Sequence, residues 1–356
     1  MRKAWQTISL TLAGMSLLIL AACGGANGSD GATGAGGNDA TAGQAATQRV
    51  IKAGIGLNED HPEGQGLLKF KEIVEQKTGG KIKVETYFAA QLGDDQQMTE
   101  ALKAGTLEVT VPSTSPLVGT VKEFGIFDFP FLFNSGEEAD AILDGPIGQK
   151  ILEKLPEHNL VGLSYWENGF RNLTNNQHPV AKLEDFQGLK IRTMQNEVHL
   201  DAFQALGANP TPMAFSEVFT ALEGKTVDGQ ENPLATILSN KYYEVQDYLS
   251  MTRHVYTPFA FLISKSFWDQ LTPEEQTIIR EASIEAGKYQ RELSRKADQE
   301  ALDALTKEGM KVNELSDAEK ERIKQVIQPV IDKYSEQFGR DLVDQLNQQL
   351  AEIRKQ

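Results

Sequence analysis

The chain has 356 residues, with 50 Asp and Glu against 35 Lys and Arg and a formal net charge of −15. That balance excludes nucleic-acid binding by phosphate neutralisation, which needs clustered Lys and Arg, and it disfavours electrostatic adhesion to anionic lipid. Any anionic ligand must be drawn by a local site and not by the overall field, and a single cysteine leaves no intramolecular disulfide.

Arg2 and Lys3 precede an apolar stretch from Thr7 to Leu20, which runs into Ala21, Ala22 and Cys23. A basic start, a short apolar core and small residues before a cut predict a secretory signal over 1–23. At about fourteen residues the stretch also falls short of the roughly twenty that span a bilayer. Leu20-Ala21-Ala22-Cys23 resembles a bacterial lipobox, in which the cysteine sulfur is acylated; the alternative is an ordinary signal with a chance cysteine beside the cut. Residues 24–48 are nearly all Gly, Ala, Ser, Thr, Asn, Asp and Gln. Such a segment has too little apolar surface to pack, and as a flexible tether its root-mean-square reach is roughly 25–30 Å.

The roughly three hundred residues from Arg49 onward suffice for a large core and two domains. Val50 to Leu57 reads as a strand, and Leu67, Leu68, Phe70, Ile73 and Val74 fall at helical spacing before Gly79-Gly80. Ile82 to Phe88 is a second strand, Asp94 to Ala104 a helix stopped by Gly105, and Leu107 to Val111 a third strand. This β-α-β-α-β order implies a parallel α/β sheet with crossover helices. A similar unit follows: Phe186 to Met194 strand-like, Val198 to Leu206 and Phe215 to Leu222 helical, and Thr226 to Gly229 opening another strand. Ala101 to Glu108 echoes Ala221 to Asp228, weak support for two related lobes. Ligands of open α/β sheets bind beyond the strand carboxyl ends, so two facing lobes would form a cleft. Thr272 followed by Pro273, Glu274 and Glu275 predicts a helix start, running to about Lys307. Further helical patterns cover Asp317 to Gly339 and the C-terminus.

Catalysis finds little support. His61, His158, His178, His199 and His254 lack zinc-ligand spacing, and neither a Gly-x-Ser-x-Gly elbow nor a P-loop is present. Gly54-Ile55-Gly56 is an incomplete dinucleotide fingerprint, so no metal or cofactor is expected. Asp94-Asp95 reads as a helix cap. Tyr165 to Asn172 gathers aromatics, amides and Arg171 into a loop or strand end. In the strand Gly188 to Met194, Leu189 and Ile191 face one side, and Lys190 and Arg192 the other. An arginine in a buried sheet needs a partner; the residues alone leave open a structural carboxylate or a ligand carboxylate gripped by the guanidinium fork. Gly229 to Pro233 offers side-chain amides at a turn.

Together several segments resemble one family, the DctP-type extracytoplasmic solute receptors of tripartite ATP-independent periplasmic (TRAP) transporters. They are Gln91 to Asp95, Phe127 to Phe131, Asn168 to Asn175, Gly188 to Arg192, Gly207 to Val218, Val227 to Leu234 and Lys241 to Gln246. The resemblance implies an α/β, two-lobed, periplasmic-binding-protein-like fold with a ligand cleft between lobes and a long helix spanning both. Lobe I would take 49–168 plus about 257–296, and lobe II 169–256 plus about 297–356. By the same resemblance Arg192 makes the main salt bridge to a ligand carboxylate. Arg171 and Asn232 are secondary contacts, and Phe215 packs on the ligand's carbon skeleton. Asp95, Ser113 and Thr114 are positional candidates from the other lobe. The implied function is capture of a small organic acid, a C4-dicarboxylate or sugar acid, and its delivery to TRAP membrane subunits for ion-gradient-driven uptake. The chain itself would be held to the membrane by a lipid on Cys23, as a receptor and not an enzyme. The alternatives are a receptor of another importer or sensor, or a lipid-anchored surface enzyme. One departure falls at His61-Pro62-Glu63-Gly64-Gln65, where many relatives carry an aromatic residue or histidine after His-Pro.

Overall fold

The computed structural model describes residues 48–355; the predicted signal, Cys23 and all but the last residue of the predicted tether lie outside them. The expected first unit forms as β1 (Arg49–Gly54), α1 (Pro62–Lys77), β2 (Ile82–Tyr87), α2 (Asp95–Lys103) and β3 (Val109–Thr110). β1 pairs in parallel with both β2 and β3. Two short helices, α3 (Gly136–Leu143) and α4 (Pro146–Leu152), lead into β4 (Leu160–Asn175). The second unit is β5 (Lys190–Thr193), α5 (Glu197–Ala205), β6 (Asn209–Pro212), α6 (Val218–Glu223) and β7 (Gly229–Asn232). Here β5 pairs in parallel with β6 and β7. There follow α7 (Leu234–Ser239), β8 (Tyr248–Ser264), α8 (Lys265–Trp268), α9 (Pro273–Lys307), β9 (Lys311–Glu314), α10 (Asp317–Phe338) and α11 (Arg340–Ile353).

The described strands join in the order β2-β1-β3-β8-β4-β7-β5-β6, with β9 on β8. At each end the first strand of a unit lies between its second and third, so the two halves repeat one topology. The short sequence echo marks the same place in both. Thr106 N–H donates to Ala101 O at 3.0 Å and Thr226 N–H to Ala221 O at 2.9 Å, each closing the second helix before the third strand. Between the halves, β4 and β8 pair antiparallel from Leu160↔Ser264 to Asn175↔Tyr248.

The long helix expected from Thr272 forms and joins the two halves. Its start is a capping box: Thr272 Oγ1 accepts from Glu275 N–H at 3.2 Å, and the Glu275 carboxylate accepts from Thr272 N–H at 2.8 Å. At 1.5 Å per residue its 35 residues reach about 50 Å. Ile279, Ala282 and Ala286 pack into the first core with β1, α1 and β2, whereas Ala301 and Leu305 pack with α6 and α7 in the second. Midway, Gln290 bonds the Glu167 backbone twice, accepting its N–H at 2.9 Å and donating to its carbonyl at 2.7 Å. This is where β4 slips register between Glu167 and Gly169, so the helix satisfies backbone groups that the bulge leaves unpaired.

Several elements differ from the sequence reading. The third strand is only Val109–Thr110, and Leu183–Phe186 is a 3-10 turn ahead of β5. β7 begins at Gly229, so Thr226 to Asp228 precede it, and the Gly229–Pro233 turn is mostly strand. Tyr165 to Asn172 is no loop: it lies inside β4. β6 holds Pro210 and Pro212 at a sheet edge, where a missing N–H breaks no ladder. In the segment 297–356, the end of α9 packs on the second half, but Leu342, Leu346 and Leu350 of α11 join the core of α3 and α4.

The α9–β4 contact leaves no room at Gly287, where a Cβ would stand 2.7 Å from both Cδ1 and Nε1 of the buried Trp166. Gly287→Val should therefore destabilise the chain by about 1–3 kcal/mol through overpacking, read as a lower thermal midpoint; an unchanged midpoint would contradict this close approach.

Candidate functional site

A cleft of about 530 Å³, its open mouth included, lies beyond the carboxyl ends of β1, β3, β5 and β7. Six of the seven predicted ligand-binding residues line it: Arg192, Arg171, Asn232, Phe215, Asp95 and Ser113. Thr114 does not. It is fully buried behind the wall, with its hydroxyl unpartnered and its backbone N–H on Pro258 O at 3.0 Å.

The two arginines differ in their partners. Arg171, on bulged β4, sets its guanidinium on Glu231 of the neighbouring β7. Nε and Nη2 engage the two carboxylate oxygens, the latter at 2.8 Å, and Nη2 also reaches Glu231 O at 2.5 Å. His254 Nε2 adds a contact to Glu231 at 3.2 Å. Burial alone would raise the Glu231 carboxyl, but Arg171 and His254 override it and hold it well below the usual carboxylate range. Arg171 is thus paired with a structural carboxylate.

Arg192 has no such partner. It is 2 % exposed, and Nε and Nη2 both donate to Met213 O, at 3.1 and 2.7 Å. Its Nη1 is buried with no hydrogen-bond partner, and it joins no ion pair among the described residues. Burial pulls the guanidinium down to about 10, leaving it a cation at neutral pH. An unpaired interior charge is costly, so this arrangement favours an anion supplied from the cleft.

Asn232 donates to Gln230 Oε1 at 2.5 Å, and Gln230 donates in turn to Thr174 Oγ1 at 2.9 Å, which fixes the β7 amides. Phe215 sits between the core clusters of the two halves. Across the cleft Asp94 caps α2, accepting from Gln97 N–H at 2.9 Å, and so frees Asp95 to face inward. Asp95 accepts the Ser113 N–H at 3.1 Å, yet burial still pushes its carboxyl up to about 6.

Sequence reasoning did not select Asn168, Thr236, Phe259 or Glu63 as site residues, and all line the cleft. Asn168 falls in the β4 bulge, with its side-chain oxygen buried and unpartnered. Glu63, in the first turn of α1, is 1 % exposed and neither carboxyl oxygen has a partner. The departure after His-Pro was its one signal. His61 caps the same helix: Nδ1 accepts Glu63 N–H at 3.1 Å, so Nε2 carries the hydrogen and donates to Thr236 Oγ1 of α7 at 3.2 Å. This bond spans the cleft, as does Gln195 to Gln96 at 3.2 Å.

Residues 53–337 match the family model DctP, bacterial extracellular solute-binding protein, family 7. The chain belongs to this family. It is a DctP-type solute receptor of the TRAP kind, not an enzyme. It is similar to the C4-dicarboxylate-binding protein DctB of Bacillus subtilis, 36 % identical over 86 % of this chain and 87 % of that one. It is also similar to the 2,3-diketo-L-gulonate-binding periplasmic protein YiaO of Escherichia coli, 37 % identical over 68 % and 74 %. The sugar acid binding protein DctPAm of Advenella mimigardefordensis, solved with galactonate, is 45 % identical with a TM-score of 0.85, over 86 % of this chain and 99 % of that one. The two-lobed fold with a cleft is thus that of the receptor family, and no helix among the described residues is long and apolar enough to cross a membrane.

The unequal arginines predict unequal variants. Arg171→Ala strands buried Glu231 and should cost about 3–5 kcal/mol of stability at neutral pH. Because Glu231 is held below its unfolded value of roughly 4.3, the pair's contribution is complete above that pH and fades on acidification. Arg192→Ala removes a cation without a carboxylate, and should leave the unliganded chain within about 1 kcal/mol of wild type. Denaturant unfolding reads both, and equal losses would contradict the two roles.

Proposed function

We propose that this chain captures a small organic acid, a C4-dicarboxylate or sugar acid, outside the cytoplasm and passes it to TRAP membrane subunits for ion-gradient-driven uptake. The observation that carries this reading is the buried Nη1 of Arg192, a donor with no partner on the wall of a cleft. A ligand carboxylate satisfies it with a charge-assisted bond. Arg171 and Asn232 add contacts around that carboxylate, and Phe215 packs against the carbon skeleton. Asp95 and Ser113 meet the ligand's far end, and Thr114 supports the wall behind them. The names of the Bacillus and Escherichia relatives and the galactonate complex favour both acid classes.

Capture is a shift between open and closed lobes, which a ligand drives only by binding the closed form better. We place lobe I at 49–168 with about 257–296, and lobe II at 169–256 with about 297–338, α11 returning to lobe I. The His61–Thr236 and Gln195–Gln96 bonds then join the lobes, and opening would break them. A lipid on Cys23 after cleavage of 1–23 would anchor the receptor, with 24–48 as its tether.

Thermal unfolding of the full chain against dicarboxylates, sugar acids and neutral sugars tests this reading. An acid at about a hundred times its Kd adds about 2.7 kcal/mol to folding, and Arg192→Ala should erase its shift. Shifts by neutral sugars alone, or a shift that survives Arg192→Ala, would refute the carboxylate clamp. Fractionation tests the anchor: Cys23→Ser should move the protein out of the membrane fraction, and a variant that stays there would remove it.

A further inference from the structure

The wall facing Arg192 is acidic and unsatisfied. Glu63 is 1 % exposed, lines the cleft, and has both carboxyl oxygens without a hydrogen-bond partner. Asp95 lies on the same wall, with one oxygen held by the Ser113 N–H, and Asn168 adds a third buried oxygen without a donor. Arg171 and Arg192 are the only Lys or Arg among the described residues lining the cleft, and Arg171 is already neutralised by Glu231. The site therefore offers one free cation and a set of oxygens that call for donors.

We propose that Glu63, with Asp95 and Asn168, is a specificity-determining subsite for ligand hydroxyl groups, and that this receptor takes a polyhydroxylated monocarboxylate in preference to a C4-dicarboxylate. The proposal rests on the reading of Arg192 as the carboxylate anchor and narrows its ligand class. A hydroxyl both donates and accepts, so it satisfies the orphan oxygens of Glu63 and Asn168 in either protonation state of the glutamate. A carboxylate only accepts. A second ligand carboxylate would meet the Asp95 carboxylate, ionised at neutral pH, and the acceptor oxygen of Asn168 with no free cation beside it, a like-charge contact in a site shielded from water. Burial, with Asp95 nearby, also holds the Glu63 carboxyl well above its ordinary range. A protonated Glu63 donates as well as accepts, which matches a hydroxyl on both counts. The departure at the residue after His61-Pro62 thus acquires a chemical role.

Titration calorimetry of the full chain with galactonate and gluconate, and with succinate, malate and fumarate, tests the proposal. Wild type should prefer a polyhydroxy monocarboxylate over every dicarboxylate by about 100-fold or more, as sites built to bond hydroxyls do. Glu63→Leu should weaken that acid by about 10-fold or more and narrow the preference. Glu63→Gln, which keeps an acceptor and a donor in place of the protonated carboxyl, should retain both the hydroxy acid and its preference over dicarboxylates within a few-fold. Thermal unfolding of both unliganded variants confirms their folding. A dicarboxylate bound as tightly as the hydroxy acids, or an unchanged preference in Glu63→Leu, overturns the subsite while the receptor reading stands. If no acid binds wild type, or if Arg192→Ala binds as wild type does, the anchor fails and the subsite with it.

Discussion

The antiparallel pairing of β4 with β8 runs the full breadth of the sheet, and each half of the receptor is built outward from it. β3, β1 and β2 attach at one end and β7, β5 and β6 at the other, so the cleft opens where the ribbon passes between the two units. A regular ribbon would turn alternate residues away. The register slips at Glu167/Gly169 and Arg171/Leu173 instead bring both Asn168 and Arg171 to the cleft. Such bulges need their freed backbone groups satisfied, and Gln290 of α9 does so at Glu167. The helix that ties the lobes together therefore also fixes the strand that shapes the site.

The cleft separates two uses of the same side chain. Arg171 has its counter-charge from Glu231 across adjacent strands, so its charge holds the second lobe together. Arg192, one strand further out, has only the Met213 carbonyl. Two fully paired arginines would leave a cleft without a net attraction for anions in a strongly acidic molecule. Leaving one unpaired concentrates the attraction at a single point, where the molecule's overall charge opposes it. In the proposed capture, a bound acid would complete an ion pair that the fold leaves half made.

Much of the fold could be read from periodicity. The two β-α-β-α-β units, the Thr272 start of α9 and the cut between helix and strand at Gly105 all carry local signals, and the structure places them within a few residues. Arg192 was legible too, because strand alternation turned it to the face opposite Leu189 and Ile191. The pairing of Arg171 with Glu231 was not, since the two lie 60 positions apart and meet through register alone. β8 and the bulges of β4 escaped for the same reason: nothing local distinguishes Tyr165 to Asn172 from a loop end. β6 hid behind two prolines that an edge strand tolerates and an interior strand does not. Glu63 gave only a negative sign, a departure from the pattern the chain otherwise resembles, and its meaning depends on the cleft that burial creates around it.

Everything proposed for the cleft turns on a ligand carboxylate completing the coordination of Arg192. A crystal structure of the full chain with a bound organic acid would show whether it does. A carboxylate oxygen should stand about 2.7–2.9 Å from Arg192 Nη1, with Arg171 still on Glu231 and the far end of the ligand against Glu63 and Asp95. A carboxylate seated elsewhere, with Nη1 still unpartnered, would contradict this role for Arg192.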